Sequence, residues 1–235
     1  MSRVVIRGLA NADAVAEVAA RDLAQRLNSL LTSKLSVKLV LTGGTIGIKA
    51  LSQLAPLIEN FDLSRLSIWW GDERFVDAES PERNFVQARE ALLAKIQIPE
   101  GNIHPMPSTG DGQLQEAAES FAVTFGTEEP SFDIVLLGVG DDGHVASLFP
   151  ESTGISFGKW VVAEPNSPKP PSQRISLSYE ALSSAKEVWF LVAGKDKAQA
   201  VSMLFSKHNL PAAKVTGREL TKWYLDDAAA SEVTS

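Results

Sequence analysis

The stretch FDIVLLGVGDDGHVASLFP, residues 132–150, decides the fold class of this chain. Its first six residues form a short, mostly apolar run that ends at glycines, which is the pattern of a strand buried on both faces. Such strands occur in parallel sheets that helices cover on both sides. The loop that follows, residues 138–144, then lies at the carboxyl end of the strand, where sheets of this kind bind their ligands.

Segments with strand and helix patterns alternate on both sides of this stretch. Before it, the sequence predicts strands at residues 4–6, 38–42 and 66–70 and helices at 11–31, 46–57, 82–95 and 113–125. After it, the sequence predicts strands at 160–164, 174–178, 187–192 and 213–216 and helices at 195–205 and 220–230. The alternation predicts an α/β, Rossmann-like fold with a mostly parallel sheet and helices on both faces. We expect a single domain over residues 1–235, with a frayed C-terminal tail from about residue 229.

The composition is that of an ordinary globular protein. Of the 235 residues, 44% are hydrophobic and 22% charged, and a chain of this length buries roughly 70% of its unfolded surface without a disulfide or metal. The formal net charge of −7 argues against nucleic acids and anionic membranes as partners. The absence of cysteine excludes thiol catalysis and cysteine zinc sites. The three histidines lack the paired spacing of metal ligands, so we expect no metal. We also expect no organic cofactor.

The N-terminal segment carries charges where an export signal has its apolar core. Asp13, Glu17 and Asp22 occupy that region, so no signal peptide is predicted. No apolar run approaches the roughly 20 residues that span a bilayer. We therefore expect a cytoplasmic protein without a membrane partner, either a monomer or a weak homodimer.

Two turns before the central stretch carry residues suited to an anion. Gly43, Gly44 and Thr45 link a predicted strand to a predicted helix, and free backbone amides at a helix start attract anions; the alternative is a plain tight turn. Asp72 and Arg74 follow the next strand, where the planar fork of arginine suits a phosphate; the alternative is a solvated charged turn. The first turn lacks the spacing of a P-loop.

The loop GVGDDGH presents a carboxylate and a histidine. It matches the G-x-G-x-x-G nucleotide fingerprint, but Pro150 follows before a helix can settle, so the context of that fingerprint is missing. The glycines instead indicate a loop that brings Asp142 close to His144, a candidate for proton transfer near neutral pH. The alternative is a histidine with a structural role. GISFG at 154–158 matches the serine-hydrolase elbow, yet no strand-to-helix junction surrounds it.

Six segments, in the same order along the chain, resemble the 6-phosphogluconolactonase family. They are LTGGT at 41–45, WWGDERFV at 69–76, RNF at 83–85, LLGVGDDGHVASLFP at 136–150, RISLSYEAL at 174–182 and VAGKDKAQAV at 192–201. GDDGHVASLFP is the most specific of them. The resemblance implies a Rossmann-like fold shared with glucosamine-6-phosphate deaminases. It also implies hydrolysis of 6-phospho-D-glucono-1,5-lactone to 6-phosphogluconate in the oxidative pentose phosphate pathway.

The resemblance further implies the roles of individual residues. His144 corresponds to the family's catalytic histidine, and Asp142 is the aspartate of the same motif. The residues expected to contact the sugar and the phosphate are Gly43, Gly44, Thr45, Asp72, Arg74, Asn84, Gly140, Arg174 and Lys197. The first motif departs from the family's usual G-G-S-T-P, because this chain has G-G-T-I-G and keeps only the two leading glycines.

Two other functions are compatible with parts of this pattern. A deaminase of the same superfamily continues D-G-H-I-A with F-N-E-P, whose glutamate helps to open the sugar ring; here Phe149 stands at that position and cannot relay a proton. A non-catalytic sugar-phosphate sensor would keep the pocket but usually carries a DNA-binding module, and neither an extra N-terminal domain nor a basic patch is expected here. The presence of both Asp142 and His144 favours the enzyme.

Overall fold

The computed structural model describes residues 2–126, 128–152, 154–206 and 208–233. The strands within these residues are β1 (Arg3–Leu9), β2 (Val37–Leu41), β3 (Leu66–Trp70), β4 (Asp72–Arg74), β5 (Ile134–Leu137), β6 (Ile155–Phe157), β7 (Val161–Glu164), β8 (Arg174–Leu177), β9 (Glu187–Val192) and β10 (Leu220–Asp226). The α-helices are α1 (Ala12–Ser33), α2 (Gly44–Ile58), α3 (Asn84–Ala91), α4 (Leu114–Val123), α5 (Tyr179–Ser183) and α6 (Ala198–Phe205).

A six-stranded sheet with the order β1-β10-β9-β5-β2-β3 forms the centre of the fold. All of its neighbouring strands run parallel, which confirms the predicted mostly parallel sheet. β5, the strand that begins the GVGDDGH stretch, lies between β9 and β2 and is completely buried. Burial on both faces therefore explains why the sequence of β5 is apolar throughout.

Helices cover both faces of this sheet, as predicted. On β5, Ile134 and Leu136 point into one hydrophobic core, whereas Val135 and Leu137 point into a second core on the opposite face. The first core also contains buried residues of α1, α2 and α3, and the second contains those of α4, α5 and α6. α1 begins after Asn11, whose side-chain oxygen accepts the backbone N–H of Ala14 at 3.0 Å and so caps the helix.

A second, antiparallel sheet with the order β4-β8-β7-β6 lies beyond the carboxyl end of β3. We predicted a charged turn at residues 71–74, but residues 72–74 form β4 because β8 provides an antiparallel partner. The pairing places Glu73 opposite Ile175 and Arg74 opposite Arg174. Charged residues from two distant segments are thereby held side by side.

Two predictions near the C-terminus are wrong. Residues 220–230 were expected to form a helix, but residues 220–226 form β10, which lies between β1 and β9 and is buried on both faces. The apolar residues Leu220, Trp223 and Tyr224 are spaced i, i+3 and i+4, which also fits one face of a helix, so periodicity alone does not separate the two structures here. Residues 213–216 were expected to form a strand, but Pro211–Lys214 form a 3₁₀ helix.

Ala229 lies at the position where the C-terminal tail is expected to begin. Ala229 is completely buried, and its backbone N–H donates a hydrogen bond to Asp226 Oδ1 at 2.7 Å. Within the described residues, none of the helices combines the length and the apolar character needed to cross a membrane.

Candidate functional site

A cavity of about 230 Å³ lies at the carboxyl ends of β2 and β5. From β2 the chain continues through α2 to β3 on one side. After β5, the next strand of this sheet along the chain is β9, which lies on the other side. The crevice between two such strands is where open α/β sheets bind ligands. The residues that line the cavity are Thr42, Gly43, Gly44, Asp72, Arg74, Asn84, Gly138, Val139, Gly140, His144, Ala146, Lys169, Arg174 and Lys197.

The fold brings most of the predicted site residues to this cavity. Those that line it are Gly43, Gly44, Asp72, Arg74, Asn84, Gly140, His144, Arg174 and Lys197. Asp142 does not line the cavity itself but contacts His144, which does. Thr45 instead lines a neighbouring groove bordered by α2 and α3, so its position does not support the expected substrate contact. The reason is that the backbone turns at Gly43 and Gly44, and Thr45 is already in the first turn of α2.

Asp142 fixes the orientation of His144. Its Oδ1 atom accepts the backbone N–H of His144 at 3.0 Å and lies 2.5 Å from Nδ1 of the same histidine. A carboxylate at Nδ1 favours the tautomer that carries its proton there. Nε2 is then the nitrogen that can accept a proton from water or from a ligand.

Gly140 is required for this arrangement because a larger residue would overlap the histidine. A Cβ atom at position 140 would lie 1.9 Å from His144 Nδ1 and 2.6 Å from Asp142 Oδ1. The backbone N–H of Gly140 also donates a hydrogen bond to the carbonyl oxygen of His144 at 2.9 Å. Gly143 has a φ of 79°, a left-handed conformation that glycine adopts without strain. The glycines thus close the loop tightly around the imidazole.

The environment of His144 favours its neutral form. Burial lowers the pKa of His144, and the neighbouring Asp142 carboxylate offsets this only in part. The ring of Phe149 packs against the imidazole with a distance of 4.5 Å between ring centroids. Burial raises the pKa of Asp142, but the hydrogen bond from the His144 backbone and the nearby imidazole outweigh that effect and leave the pKa lowered. A neutral imidazole beside a carboxylate is suited to general-base catalysis.

Glu73 organises the opposite wall of the cavity, and the sequence reasoning missed it. Its side chain is almost completely buried, and its carboxylate accepts the backbone N–H groups of Arg74, Asn84 and Phe85 at 2.8, 2.7 and 2.9 Å. Two of these N–H groups belong to the first turn of α3, where a carboxylate also interacts favourably with the helix dipole. Arg83 lies 3.4 Å from the same carboxylate. The sequence does not show that an acidic residue after a strand caps a helix, because the contact depends on which helix the fold brings next to it.

Asp72 and Asn84 present polar atoms to the cavity from this wall. Asp72 Oδ2 accepts a hydrogen bond from Ser147 Oγ at 2.6 Å, and the Asn84 side-chain amide donates to the Asp72 carbonyl oxygen at 2.8 Å. Within the described residues, Asn84 Oδ1 is buried without a hydrogen-bond partner. It packs against Gly43, where a Cβ atom would lie only 1.9 Å away. A buried acceptor of this kind at a cavity wall is suited to a ligand hydroxyl.

Arg74, Lys169, Arg174 and Lys197 give the cavity a cationic lining. Arg74 and Arg174 lie directly opposite each other in the β4–β8 pairing, an arrangement that is unfavourable for like charges. Burial lowers the pKa of Arg174, although the neighbouring Asp72 counteracts this. An anion between such groups would relieve the repulsion. Lys169 belongs to the Pro-rich segment NSPKPPSQ and was not among the predicted site residues.

The N-terminus of α2 adds backbone donors to the same region. Gly43 is the N-cap residue and provides no side-chain cap, and Gly44 adopts a φ of 77°, which requires glycine. The first N–H groups of a helix have no intrahelical acceptor and lie at the positive end of the helix dipole. This helix start is therefore suited to an anion, as predicted from the sequence.

One cluster near the cavity has ligand types that metals use. Asp141, Asp142 and His144 each place one such atom within 4.8 Å of the others. Asp141 is already paired with Lys169, and Asp142 Oδ1 is engaged with His144. A metal ion would have to displace Lys169 from Asp141 and disturb the contact between Asp142 and His144. That the protein needs no metal stays a prediction.

Comparisons with known proteins agree with this architecture. The family model described as glucosamine-6-phosphate isomerases/6-phosphogluconolactonase matches residues 10–223. The 6-phosphogluconolactonase of Streptomyces coelicolor is 43% identical, over 93% of this chain and 90% of its own length. The protein of the same name from Mycobacterium leprae is 39% identical, over 92% of both chains.

A solved structure is similar over nearly the whole fold. The crystal structure of 6-phosphogluconolactonase from Thermotoga maritima superimposes with a TM-score of 0.86 at 29% identity and covers 95% of this chain and all of its own. The agreement extends through both sheets, since so little of either chain is left unmatched. The chain belongs to the family of glucosamine-6-phosphate isomerases and 6-phosphogluconolactonases.

Proposed function

We propose that this protein hydrolyses 6-phospho-D-glucono-1,5-lactone to 6-phosphogluconate, the lactonase step of the oxidative pentose phosphate pathway. The observation that carries the proposal is a largely buried histidine, held by Asp142 and with its pKa lowered by burial, at a cavity that also contains Arg74 and Arg174. The first feature suits attack by water on a carbonyl, and the second suits a phosphate. Relatives named 6-phosphogluconolactonase, with up to 43% identity among those described above, support it.

In the proposed mechanism, His144 acts as a general base on water. Nε2 takes a proton as the water oxygen attacks the lactone carbonyl carbon, and the carbonyl oxygen becomes an oxyanion. Backbone N–H groups of the GVGDDGH loop stabilise that oxyanion. The bond from the former carbonyl carbon to the ring oxygen then breaks, and the imidazolium returns its proton to the departing oxygen. The product carboxylic acid releases its proton to solvent.

The phosphate serves as a binding handle at a distance from the reacting carbon. The paired arginines, Lys197 and the N-terminus of α2 provide positive charge for it. Binding energy realised there fixes the carbonyl against His144 and so lowers the entropic part of the barrier. Asp72 and the buried Asn84 Oδ1 are suited to the sugar hydroxyls.

Phe149 favours the lactonase over a deaminase. It occupies the position of the deaminase glutamate, and its ring packs on His144 instead of offering a proton carrier. Lactone hydrolysis needs no ring-opening isomerisation, because the attack by water itself opens the ring. The apolar contact also contributes to the burial that keeps the imidazole neutral.

The test is hydrolysis of freshly generated 6-phospho-D-glucono-1,5-lactone by purified protein in the presence of EDTA, corrected for spontaneous hydrolysis. We expect turnover that survives the chelator and falls by about 10²–10⁴ in His144→Ala, the usual contribution of a general base. His208→Ala is the matched control, since His208 does not line the cavity. An unchanged kcat in folded His144→Ala would contradict the assigned base, and loss of activity in EDTA would contradict the metal-free mechanism.

The setting of the enzyme forms a separate part of the proposal. A phosphorylated sugar lactone is anionic and does not cross membranes unaided, which supports the cytoplasm as the compartment. We propose a monomer or a weak homodimer without a nucleic-acid partner, consistent with the net charge of −7. Sedimentation at several protein concentrations measures the oligomeric state directly.

A further inference from the structure

Lys169 contributes a cation to the cavity from a segment that the sequence reasoning left without a function. Its side chain lines the cavity together with Arg74, Arg174 and Lys197. It lies in the Pro-rich connection between β7 and β8, a part of the chain with no regular secondary structure. A lysine in such a segment is ordinarily a mobile surface charge, so the contacts that hold it decide whether it has a role at the site.

The backbone of Lys169 is fixed on both sides. Its N–H donates to Ser167 Oγ at 3.2 Å, and Ser167 Oγ donates in turn to the Lys169 carbonyl oxygen at 3.0 Å. Ser167 is itself nearly buried, and its backbone N–H donates to the carbonyl oxygen of Ser172 at 2.8 Å. The segment is therefore a closed loop with defined internal hydrogen bonds.

Arg174 clamps the same loop to β8. Its Nε donates to the Pro171 carbonyl oxygen at 2.8 Å, and its Nη2 donates to the carbonyl oxygens of Lys169 and Pro170 at 3.2 and 3.1 Å. Arg174 is 6% exposed, so the donor side of these bonds is largely shielded from water. Two of the three guanidinium nitrogens thus hold the loop, and only Nη1 is left for the cavity. Arg174 thus determines the position of the loop that carries Lys169.

Asp141 holds the charged end of Lys169. The two side chains form an ion pair at the edge of the cavity, and both are about half exposed. Exposed ion pairs contribute little stability, because water solvates both charges well. A phosphate dianion, with more charge and more acceptor oxygens than a carboxylate, can replace Asp141 as the partner of the lysine.

We propose that Lys169 is a ligand of the substrate's phosphate group, that Asp141 holds it in readiness until the phosphate replaces the carboxylate, and that Arg174 acts mainly as a positioning residue for Lys169. This inference rests on the proposed lactonase function for its substrate, but not for its central claim, which is that the cavity binds phosphate through Lys169. Asp141 and Asp142 then have different tasks although they are adjacent: Asp142 orients His144, whereas Asp141 controls Lys169.

Two variants separate the ligand from its holder. Lys169→Met removes the charge and keeps the apolar stem, and we expect KM for the phosphorylated lactone to rise about tenfold or more, as for loss of a charged hydrogen bond, with kcat little changed. Asp141→Asn frees the lysine, and we expect KM to fall, by up to about fivefold given the small worth of exposed ion pairs. Lys186→Met is the matched control, because Lys186 pairs with Glu219 and does not line the cavity.

The double variant distinguishes release of Lys169 from a general loss of negative charge. If Asp141 acts through Lys169, Asp141→Asn brings no gain in the Lys169→Met background. An equal gain in both backgrounds would overturn the role of Asp141. Arg174→Lys should raise KM in the wild-type background and have much less effect in Lys169→Met, since both changes remove the same contact. Full additivity would overturn the positioning role.

Binding measurements keep the test independent of catalysis. Calorimetry with 6-phosphogluconate, inorganic phosphate and gluconate should show weaker binding of the first two ligands to Lys169→Met and no change for gluconate. An equal loss for gluconate, or an equal loss of activity on unphosphorylated glucono-1,5-lactone, would place Lys169 at the lactone end and overturn the proposal. If the wild type bound phosphate through Lys169 without hydrolysing the lactone, the proposed function would fail while this inference stood.

Discussion

The ring of Phe149 packs against the imidazole of His144, with 4.5 Å between the centroids, and shields it from water on one side. Both residues belong to the GVGDDGHVASLFP segment, so the proposed base and its apolar cover are close in sequence. Burial is the main cause of the lowered pKa of His144, and Asp142 raises that pKa by less. The contact therefore bears on the pH at which the histidine is active.

The pH dependence of kcat/KM tests this contact. A base is active when deprotonated, so activity should fall on the acid side with an apparent pKa below about 6.5, the ordinary value for histidine. Phe149→Ala exposes the ring, which should move this limb to higher pH because desolvation then opposes protonation less. Phe61→Ala changes a partly buried phenylalanine that packs against the core containing α1, α2 and α3, and it should leave the limb in place. If the acid limb of the Phe149→Ala profile stayed at the wild-type pH, a contact other than Phe149 would determine the apparent pKa of the base.

Gly140 is expected to be intolerant of a single methyl group. In Gly140→Ala, the new Cβ would lie 1.9 Å from His144 Nδ1, so the imidazole must leave its position beside Asp142. We expect kcat to fall nearly as far as in His144→Ala, that is by about 10² or more, because a displaced base contributes little. In Gly101→Ala no atom lies within 4 Å of the added Cβ, which makes it the control. Wild-type turnover in Gly140→Ala would mean that the loop rearranges freely.

Arg74 is expected to act on the phosphorylated substrate only. Its position opposite Arg174 at the cavity favours a charged hydrogen bond to phosphate, and losing such a bond costs about 1.5–3 kcal/mol in kcat/KM. The measurement is kcat/KM of Arg74→Ala on 6-phosphogluconolactone and on unphosphorylated glucono-1,5-lactone. An equal loss on the two lactones would rule out Arg74 as a phosphate ligand. Arg65→Ala, an exposed arginine outside the cavity, controls for the change in net charge.

Glu73 is expected to matter for stability and substrate binding together. Glu73→Ala leaves the buried N–H group of Asn84 and the partly buried N–H groups of Arg74 and Phe85 without their acceptor, at a cost of about 1–3 kcal/mol for each group that stays unsatisfied. Urea unfolding should show a lower free energy of unfolding, and KM should rise because Arg74 and Asn84 line the cavity. Glu79→Gln, whose side chain is exposed and pairs with Arg89, should change neither quantity appreciably. Unchanged KM in destabilised Glu73→Ala would limit its role to folding.

The sequence alone determined the features that depend on near neighbours along the chain. β5 was recognisable because a strand buried on both faces must be apolar throughout, and the GVGDDGH loop because its glycines permit turns that other residues resist. The contact between Asp142 and His144 spans two residues, so the local loop geometry creates it wherever that loop lies. The six segments that resemble the family are also short stretches of neighbouring residues, so the function they imply could be predicted from the sequence.

Only the tertiary structure decided which distant charges meet. Arg74 lies opposite Arg174 because β4 pairs with β8, and this pairing turned a predicted charged turn into a strand. Glu73 reaches the start of α3, and Lys169 reaches the cavity, through folding of segments that carry no periodic signal. β10 is a strand rather than a helix because β1 and β9 supply its hydrogen-bond partners. Periodicity reports which side chains are buried along a segment, whereas hydrogen-bond partners and charge neighbours across the fold depend on how the elements pack.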